Sequence, residues 1–215
     1  MYTQKRKTEG RAIGTLAYPT MSEAPHSTEL DAAAERAVIA AAQQDKRLFA
    51  PIYERYVERI YAYCLRRVDD PQEAEDLSSQ VFTNALLALS QYRGGSVAAW
   101  LFRIAHNAVI NHLKQRNHQA RHAQSLDQSH IDPPSDAPEP AERLIAAEEA
   151  HAIQQLVAKL PPEQQNVVLM RVVGGLSAAE IGAALGKREG AIRTMLHRAL
   201  RWLQNAYQAQ EREDC

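Results

Sequence analysis

The chain has 215 residues and a formal net charge of −1, with 45% hydrophobic and only 6% aromatic residues. This apolar fraction excludes wholesale disorder, and the abundance of Ala, Leu, Gln and Arg favours helices over a β-sandwich or barrel. Because the net charge is close to zero, any nucleic-acid surface has to be a local basic patch.

Cysteine usage and hydropathy indicate the compartment. Cys64 and Cys215 have no CxxC partner, so neither a disulfide framework nor a cysteine zinc site is predicted. Cys64 falls in an apolar helical pattern, and we expect it to be a small core residue of a protein in the reducing cytoplasm. No apolar run approaches the roughly 20 residues that span a bilayer, so we expect no membrane insertion. No pattern indicates a cofactor.

The first elements in chain order are an extension and a long helix. Residues 1–44 are predicted to be an N-terminal extension, partly disordered, with an Ala-rich helical end from residue 30. Residues 45–68 are predicted to form one amphipathic helix, because apolar side chains recur every three or four positions. These apolar side chains are Leu48, Phe49, Ile52, Tyr53, Tyr56, Val57, Ile60, Tyr61, Cys64, Leu65 and Val68.

The next helix opens with a capping signal. Asp70 can cap a helix that runs to about residue 90, and Glu73 can complete a capping box with it. The pattern therefore predicts a second amphipathic helix with a polar outer face.

A glycine turn at residues 92–95 separates this helix from a third one, residues 97–117, which Ser96 can cap. The apolar residues predicted to face the core in this third helix are Trp100, Leu101, Ile104, Ala105, Ala108, Val109 and Leu113. Together these helices are predicted to form a domain over residues 45–117.

The composition changes at residues 118–140, which are rich in Pro, Ser, Asp, Gln and His and predict a flexible, acidic linker. A second helical domain is predicted over residues 141–208, followed by a tail over 209–215. We therefore predict an all-α fold of two small helical domains joined by that linker.

Residues 176–203 have the form of a helix-turn-helix. Ser177 and Glu180 make a capping box, a short helix follows, and Gly186 allows the tight turn into a longer helix. An α-helix fits the major groove of DNA, where Arg and Thr reach base edges and phosphates. The alternative is a helical hairpin with a solvated charged face. The residues predicted to contact DNA are Lys187, Arg188, Arg193, Thr194, His197, Arg198 and Arg201.

At this point the chain resembles a known family, the bacterial sigma factors. The segment LPPEQQNVVLMRVVGGLSAAEIGAALGKREGAIRTMLHRAL is similar to their promoter-recognition domain, region four. The segments DDPQEAEDLSSQVFTNAL and YRGGSVAAWLFRIAHNAVINHLKQR resemble the polymerase-binding and promoter-melting helices of region two. With no third domain between these regions, the chain resembles the compact extracytoplasmic-function (ECF) group.

The resemblance implies partners and a division of labour. Region two would bind the clamp helices of the large polymerase subunit and would capture and melt the minus-ten promoter element. Region four would read the minus-thirty-five element, and the flap of the second large subunit is a further expected partner. Many relatives are held inactive by an anti-sigma factor, so such a partner is also considered. A sigma factor is not an enzyme.

The resemblance assigns candidate residues to two surfaces of region two. The polymerase-binding candidates, on the polar face of the second helix, are Asp70, Glu73, Glu75, Asp76, Ser79, Gln80, Thr83 and Asn84. The minus-ten candidates are Tyr92, Arg93, Trp100, Arg103, His106, Asn107, Asn111 and Lys114. Cations can hold phosphates there, while amides and aromatic rings can hold splayed bases. Trp100 fits core packing at least as well as stacking, and Tyr92 is the better candidate for base contact.

Three positions depart from the family pattern. Asn111 stands where Asp is common, Arg188 stands where Ser or Thr usually caps the recognition helix, and Met195 stands where Arg is frequent. These departures leave the promoter sequence open.

Two alternatives to the sigma factor are considered. A helix-turn-helix regulator would bind duplex DNA without replacing the polymerase specificity subunit. A metal-dependent enzyme would use the histidines near the linker, but metal sites need converging ligands with outer-shell support, and these histidines lie in a polar stretch. Those histidines are His112, His118, His122 and His130.

Overall fold

The computed structural model describes residues 29–123 and 153–213, and the side chains of 32–119 and 153–210 within them. The regular elements in these ranges are helices, so the predicted all-α fold is confirmed. Most of the predicted linker, and the extension before residue 29, lie outside the described residues.

The N-terminal half is built from four α-helices and two short 3-10 turns. They are α1 (Glu29–Ala42), a turn (Lys46–Phe49), α2 (Ala50–Val68), α3 (Pro71–Ala88), a turn (Leu89–Gln91) and α4 (Val97–Ala123). The predicted caps are present, since the Asp70 carboxylate accepts from the Glu73 backbone N–H at 2.8 Å. The Ser96 hydroxyl accepts from the Ala99 N–H at 3.1 Å.

Two predicted helix boundaries and one predicted cap contact were wrong. The helix predicted from residue 45 begins as a separate turn, because the Asp45 side chain accepts from Arg47 N–H and Pro51 starts α2 anew. The third helix continues past residue 117 to Ala123, since Gln, Arg and Ala there are good helix formers. The reciprocal arm of the Asp70 capping box was also predicted wrongly, because the Glu73 carboxylate turns to His112 and Arg116 of α4.

The C-terminal half contains the predicted helix-turn-helix. Its helices are α5 (described over 153–158), α6 (Pro162–Val172), α7 (Ala178–Leu185) and α8 (Glu189–Glu213). Ser177 and Glu180 form the full capping box, and Gly186 adopts a left-handed conformation at φ +66° that ends α7. A Cβ at Gly182 would lie 2.6 Å from the Lys187 carbonyl oxygen, so the turn needs glycine there as well.

The two halves share one continuous apolar core. Phe102 of α4 is fully buried and packs edge-to-face on Tyr63 of α2, with ring centroids 5.6 Å apart. The loop after α6 closes over this pair, since a Cβ on Gly174 would lie 2.9 Å from Phe102 Cε1. The C-terminal half therefore docks on the face of α2 and α4 through a close backbone approach.

The extension contributes to the core as well. Ile39 and Ala42 of α1 are fully buried, and Glu35 is held between Tyr56 and Arg55 of α2. In the part of the chain that the structure describes, no helix is long and apolar enough to cross a bilayer.

Candidate nucleic-acid interface

The basic face of the helix-turn-helix points outward from the turn before α8 to Arg201 on that helix. All seven residues predicted to contact the minus-thirty-five element, Lys187, Arg188, Arg193, Thr194, His197, Arg198 and Arg201, are exposed. Two of the cations are paired, Lys187 with Glu163 at 3.3 Å and Arg193 with Glu189 at 2.5 Å. Surface pairs of this kind are weak, so phosphates can compete for both side chains.

A cleft between α3 and α4 gathers carboxamide side chains. It encloses about 350 Å³, and it is lined by Gln80, Asn84, Ile104, Asn107, Ala108, Asn111, His112 and Gln115. Asn107 and Asn111 are minus-ten candidates, whereas Gln80 and Asn84 were assigned to the polymerase. The structure brings these four residues together. Because a carboxamide both donates and accepts hydrogen bonds, the cleft suits the edges of nucleobases.

The opposite side of α3 faces a second groove, shared with α2. It encloses about 430 Å³, and it is lined by Tyr53, Val57, Glu58, Tyr61, Glu75, Ser78, Ser79 and Phe82. Tyr53 packs edge-to-face on Phe82 with centroids 4.8 Å apart and remains 45% exposed. Sequence reasoning placed Tyr53 and Tyr61 in the core and missed this surface. The apolar residues of α2 cover more of the helix surface than packing against one core requires, and this excess is the sequence signal that could have revealed the groove.

Two other polymerase-binding candidates are engaged inside region two. The Glu73 carboxylate lies 2.9 Å from His112 Nε2 and 3.3 Å from Arg116 Nη1, and the Asp70 carboxylate caps α3. Asp76 and Thr83 are exposed on the outer face of α3. The α3 candidates are therefore divided among the amide cleft, the aromatic groove, an ion pair and open solvent.

The glycine turn before α4 is folded on itself. Tyr92 is 8% exposed, its hydroxyl donates to the Gly95 carbonyl at 2.8 Å, and its ring lies edge-to-face on Trp100 at 5.3 Å. Arg93 Nη1 donates to the Ser90 carbonyl at 2.5 Å. In this conformation the half-buried Trp100 is more accessible than Tyr92. Lys114, further along α4, is exposed.

Helix α7 of the helix-turn-helix packs against α4. Arg103, a minus-ten candidate, donates through Nη2 to the Ala183 carbonyl at 2.6 Å. The Ser96 hydroxyl donates to Glu180 Oε1 at 2.7 Å, while Oε2 of that carboxylate caps α7 at Ser177. Burial by itself would raise the pKa of Glu180, but the hydrogen bonds from Ser96 and Ser177 outweigh it and lower the pKa. The Glu180 carboxylate thus accepts hydrogen bonds from the N-cap residues of both α4 and α7.

A polar cluster fills the contact between α2 and α6. Tyr63 OH lies 3.4 Å from both His106 Nδ1 and Asn166 Oδ1, and Arg67 Nη1 donates to Gln165 Oε1. Burial, with the nearby Arg67 cation, lowers the pKa of His106. This minus-ten candidate therefore points into the interdomain contact rather than along the outer face of α4.

The histidines considered as metal ligands do not converge where they are described. Among the described residues, no three His, Cys, Asp or Glu side chains lie close enough to hold a metal ion. His112 is engaged by Glu73, and the side chains of His122 and His130 lie outside the described set.

Two family comparisons match the two halves of the chain. Residues 52–119 match the family described as Sigma-70 region 2, and residues 150–203 match Sigma-70, region 4. The chain is 33% identical over 159 residues to the ECF RNA polymerase sigma factor BldN of Streptomyces coelicolor, covering 72% of this chain but only 58% of that protein. It is 30% identical over 177 residues to the RNA polymerase sigma-H factor of Pseudomonas aeruginosa, covering 79% of this chain and 91% of that one.

A solved structure shares the fold. It is the co-crystal structure of the sigma factor RpoE with the anti-sigma factor NepR from Bartonella quintana. The TM-score is 0.57 at 18% identity, covering 74% of this chain and 96% of RpoE.

Proposed function

Because this chain belongs to the sigma-70 family of RNA polymerase sigma factors, in its ECF group, we propose that it brings core polymerase to promoters and opens the DNA there. Sigma factors are transcription initiation factors without catalytic activity of their own. The observation that carries the proposal is the pairing, in one chain, of an amide-lined cleft on α4 with an open basic face on α8.

The domain limits stay part of the proposal: region two over residues 45–117, the linker over 118–140 and region four over 141–208. The helix α4 extends to Ala123, so the start of the linker continues the last helix of region two. Residues 1–44 precede region two and 209–215 form the tail. Because Ile39 and Ala42 of α1 are buried in the shared core, the end of the extension is packed as part of region two.

Region four contacts the minus-thirty-five element through α8. Thr194, Arg198 and Arg201 are exposed on one side of the helix, and Arg188 is exposed immediately before it. Cations on such a face neutralise phosphates and set the helix in the major groove, where base edges are read.

Region two holds the opened minus-ten strand in the amide cleft. Asn107 and Asn111 contribute from α4, and Gln80 and Asn84 contribute from α3. An unpaired base offers its Watson–Crick edge to these amides, and Trp100 is near enough to the turn to stack on a neighbouring base. Lys114 then contacts phosphate.

The polymerase clamp helices are proposed to dock along the aromatic groove of α2 and α3. Tyr53, Tyr61 and Phe82 give an apolar floor, and Glu58 and Glu75 give acidic walls. An apolar centre with a charged rim is the usual arrangement of a protein interface. The flap of the second large subunit is the proposed partner of region four.

Promoter binding requires the two halves to separate. The nominal positions of the two promoter elements lie about 25 base pairs apart, which is roughly 85 Å of B-DNA at 3.4 Å per base pair. In the closed structure α7 lies directly on α4. The interface between them therefore has to open when both elements are bound. An anti-sigma factor could stabilise the closed form, as one is bound to RpoE in its solved complex.

The alternative of an independent helix-turn-helix regulator is not favoured, because residues 52–119 match Sigma-70 region 2. We propose the cytoplasm as the compartment, since the polymerase acts there.

Run-off transcription with purified core polymerase on a pool of promoter fragments tests this proposal. We expect the chain to convert core enzyme into a promoter-specific one. Asn107→Ala, in the cleft, should lower open-complex formation, whereas Asn117→Ala, exposed further along the same helix, should leave it unchanged. An inability of the intact chain to bind core polymerase or start transcripts would overturn the proposal.

Separation of the halves can be followed in the same reactions by energy transfer. Labels on Leu87→Cys and Gln204→Cys in a Cys215→Ser chain lie on exposed positions of α3 and α8. Transfer should be high in the free chain and should fall when core polymerase and promoter are added. Unchanged transfer in an active initiation complex would contradict the opening step.

A further inference from the structure

Gln43, the residue that follows α1, makes two long-range hydrogen bonds. Its Nε2 group donates to the Leu89 carbonyl at 2.9 Å and to the Tyr92 carbonyl at 3.1 Å. Both acceptors lie where α3 ends and the glycine turn begins. The Leu89 carbonyl also accepts from the Tyr92 N–H at 3.1 Å, so the Gln43 amide adds a side-chain tie at this helix end and helps to fix the direction in which the chain leaves.

The backbone that carries the Gln43 side chain is itself fixed. Ile39 and Ala42 of α1 are fully buried, and the Gln43 N–H continues the helix by donating to the Ile39 carbonyl at 2.9 Å. One turn earlier, Glu35 accepts from the Tyr56 hydroxyl at 2.8 Å and pairs with Arg55 at 2.9 Å. The Gln43 amide therefore reaches the turn from a helix anchored on α2.

The turn at residues 92–95, here named the capture loop, is anchored at its start by the buried Tyr92 ring, whereas its two glycines make no packing contact of their own. Gly94 and Gly95 adopt φ values of +103° and +97°, and nothing lies within 4 Å of a Cβ added to either. Glycines in open space leave the backbone many alternative conformations. The backbone of the loop is fixed instead by hydrogen bonds: Tyr92 bonds to Gly95 within it, Tyr92 N–H and Arg93 bond to carbonyls at the end of α3, and Gln43 bonds to its base from α1.

We propose that Gln43 is a positioning residue for strand opening: it holds the capture loop, and with it the Tyr92–Trp100 ring pair, in the conformation that receives the melted promoter strand. This proposal rests on the proposed function. Preorganisation matters because a loop that is ordered only on binding loses part of its interaction energy to conformational entropy. The end of the N-terminal extension then takes part in promoter opening without touching DNA.

A matched pair of variants separates this role from a general effect of charge. Gln43→Glu places a carboxylate against two carbonyl oxygens, whereas Gln44→Glu makes the same charge change on the adjacent exposed residue. We expect Gln43→Glu to lower open-complex formation roughly tenfold, as expected from the loss of two hydrogen bonds. Gln44→Glu should match the wild type, and Gln43→Lys, which restores a donor, should recover most of the activity.

Two further measurements exclude a merely structural effect. Affinity for core polymerase should be the same for Gln43→Glu and Gln44→Glu, and the melting temperature of Gln43→Glu should be lower by only a few degrees, roughly what the loss of two hydrogen bonds predicts. In a Trp202→Phe chain, Trp100 is the remaining tryptophan. Iodide should quench the fluorescence of Trp100 more strongly in Gln43→Glu, because Tyr92 no longer covers the indole ring. Quenching in Gln44→Glu should equal that in the parent chain.

The outcomes distinguish the two proposals. If the wild type does not initiate with core polymerase, the proposed function fails. If the wild type initiates and Gln43→Glu opens promoters as well as Gln44→Glu, only the role of Gln43 is refuted. The same holds if Gln43→Lys is as defective as Gln43→Glu, because a donor at this position would then be irrelevant.

Discussion

The two helices proposed to contact promoter DNA differ in how much of their surface is available. The basic face of α8 is exposed from Lys187 to Arg201. On α4, by contrast, Arg103 is bonded to Ala183 and the Ser96 cap is bonded to Glu180. The surface proposed for the minus-thirty-five element is therefore open in the closed structure, whereas part of the surface proposed for the minus-ten element is bonded to region four.

This difference shows how one short helix can serve two purposes. Helix α7 supports the recognition helix within region four, and its outer side lies on α4 of region two. When α7 leaves α4, Arg103 and Ser96 become available together with the apolar patch around Phe102. Access to the surface proposed for the minus-ten element would thus be coupled to the exposure of buried apolar area, which costs a large free energy.

The largest expected effect comes from the apolar centre of this contact. Phe102→Ala should lower the free energy of unfolding by about 3 to 5 kcal/mol, because it leaves a cavity beside Tyr63 and Gly174. Urea denaturation measures this. Leu87→Ala on α3, where the side chain is 68% exposed, should change stability by about 0.5 kcal/mol or less. Equal effects from the two substitutions would mean that region four does not bury Phe102 in solution.

A smaller effect is expected from the Ser96–Glu180 hydrogen bond. In a double-mutant cycle of Ser96→Ala and Glu180→Ala, the coupling energy should be about 1 kcal/mol, because the carboxylate is charged and half-buried. A control cycle on the exposed Lys187–Glu163 pair should give about 0.5 kcal/mol or less. A coupling near zero between Ser96 and Glu180 would indicate that the two halves are already apart.

The comparison of the two DNA faces can be tested without polymerase. Arg198→Ala should weaken binding of the free chain to duplex DNA and reduce the slope of log affinity against log salt by about 1, since one phosphate contact is lost. Arg103→Ala should leave both quantities unchanged, because its guanidinium is bonded to α7. Titrations at several salt concentrations measure the two slopes. A matching loss in Arg103→Ala would show that α4 already contacts DNA in the free chain.

Much of the fold could be predicted from the sequence, because the helices have strong apolar periodicity and clear caps. Phe102 could not, because it lies beside the apolar stripe of α4 and its burial depends on Gly174 from the other half of the chain. Apolar periodicity within a single helix carries no information about a face covered by a distant loop.

The residues of the candidate site stay predictions, and the structure groups them differently from the sequence. Gln80 and Asn84 have the polarity of an outer face, yet the packing of α4 along one side of α3 places them with Asn107 and Asn111. Tyr92, expected to meet a base, has its hydroxyl bonded to Gly95. Both outcomes depend on tertiary distances that spacing along the chain does not determine.

The smallest expected effect is a pH dependence of the closed contact, carried by His106 between Tyr63 and Arg67. Burial and the Arg67 cation lower its pKa in the folded chain, whereas the unfolded chain titrates near the ordinary value of 6.5. As the pH falls through 6.5, the unfolded chain binds a proton that the folded chain does not, so stability decreases until the folded pKa is reached.

Glu180 acts at lower pH: its folded pKa is lowered, so its contribution to stability is present above about 4.5 and is lost below it. Urea denaturation between pH 7.5 and 3.5 should therefore show His106→Gln flattening the upper part of the profile and Glu180→Gln flattening only the lower part. If His106→Gln leaves the slope between pH 7 and 5.5 intact, His106 does not lie in the contact between α2, α4 and α6 in solution, and the closed arrangement has to be reconsidered.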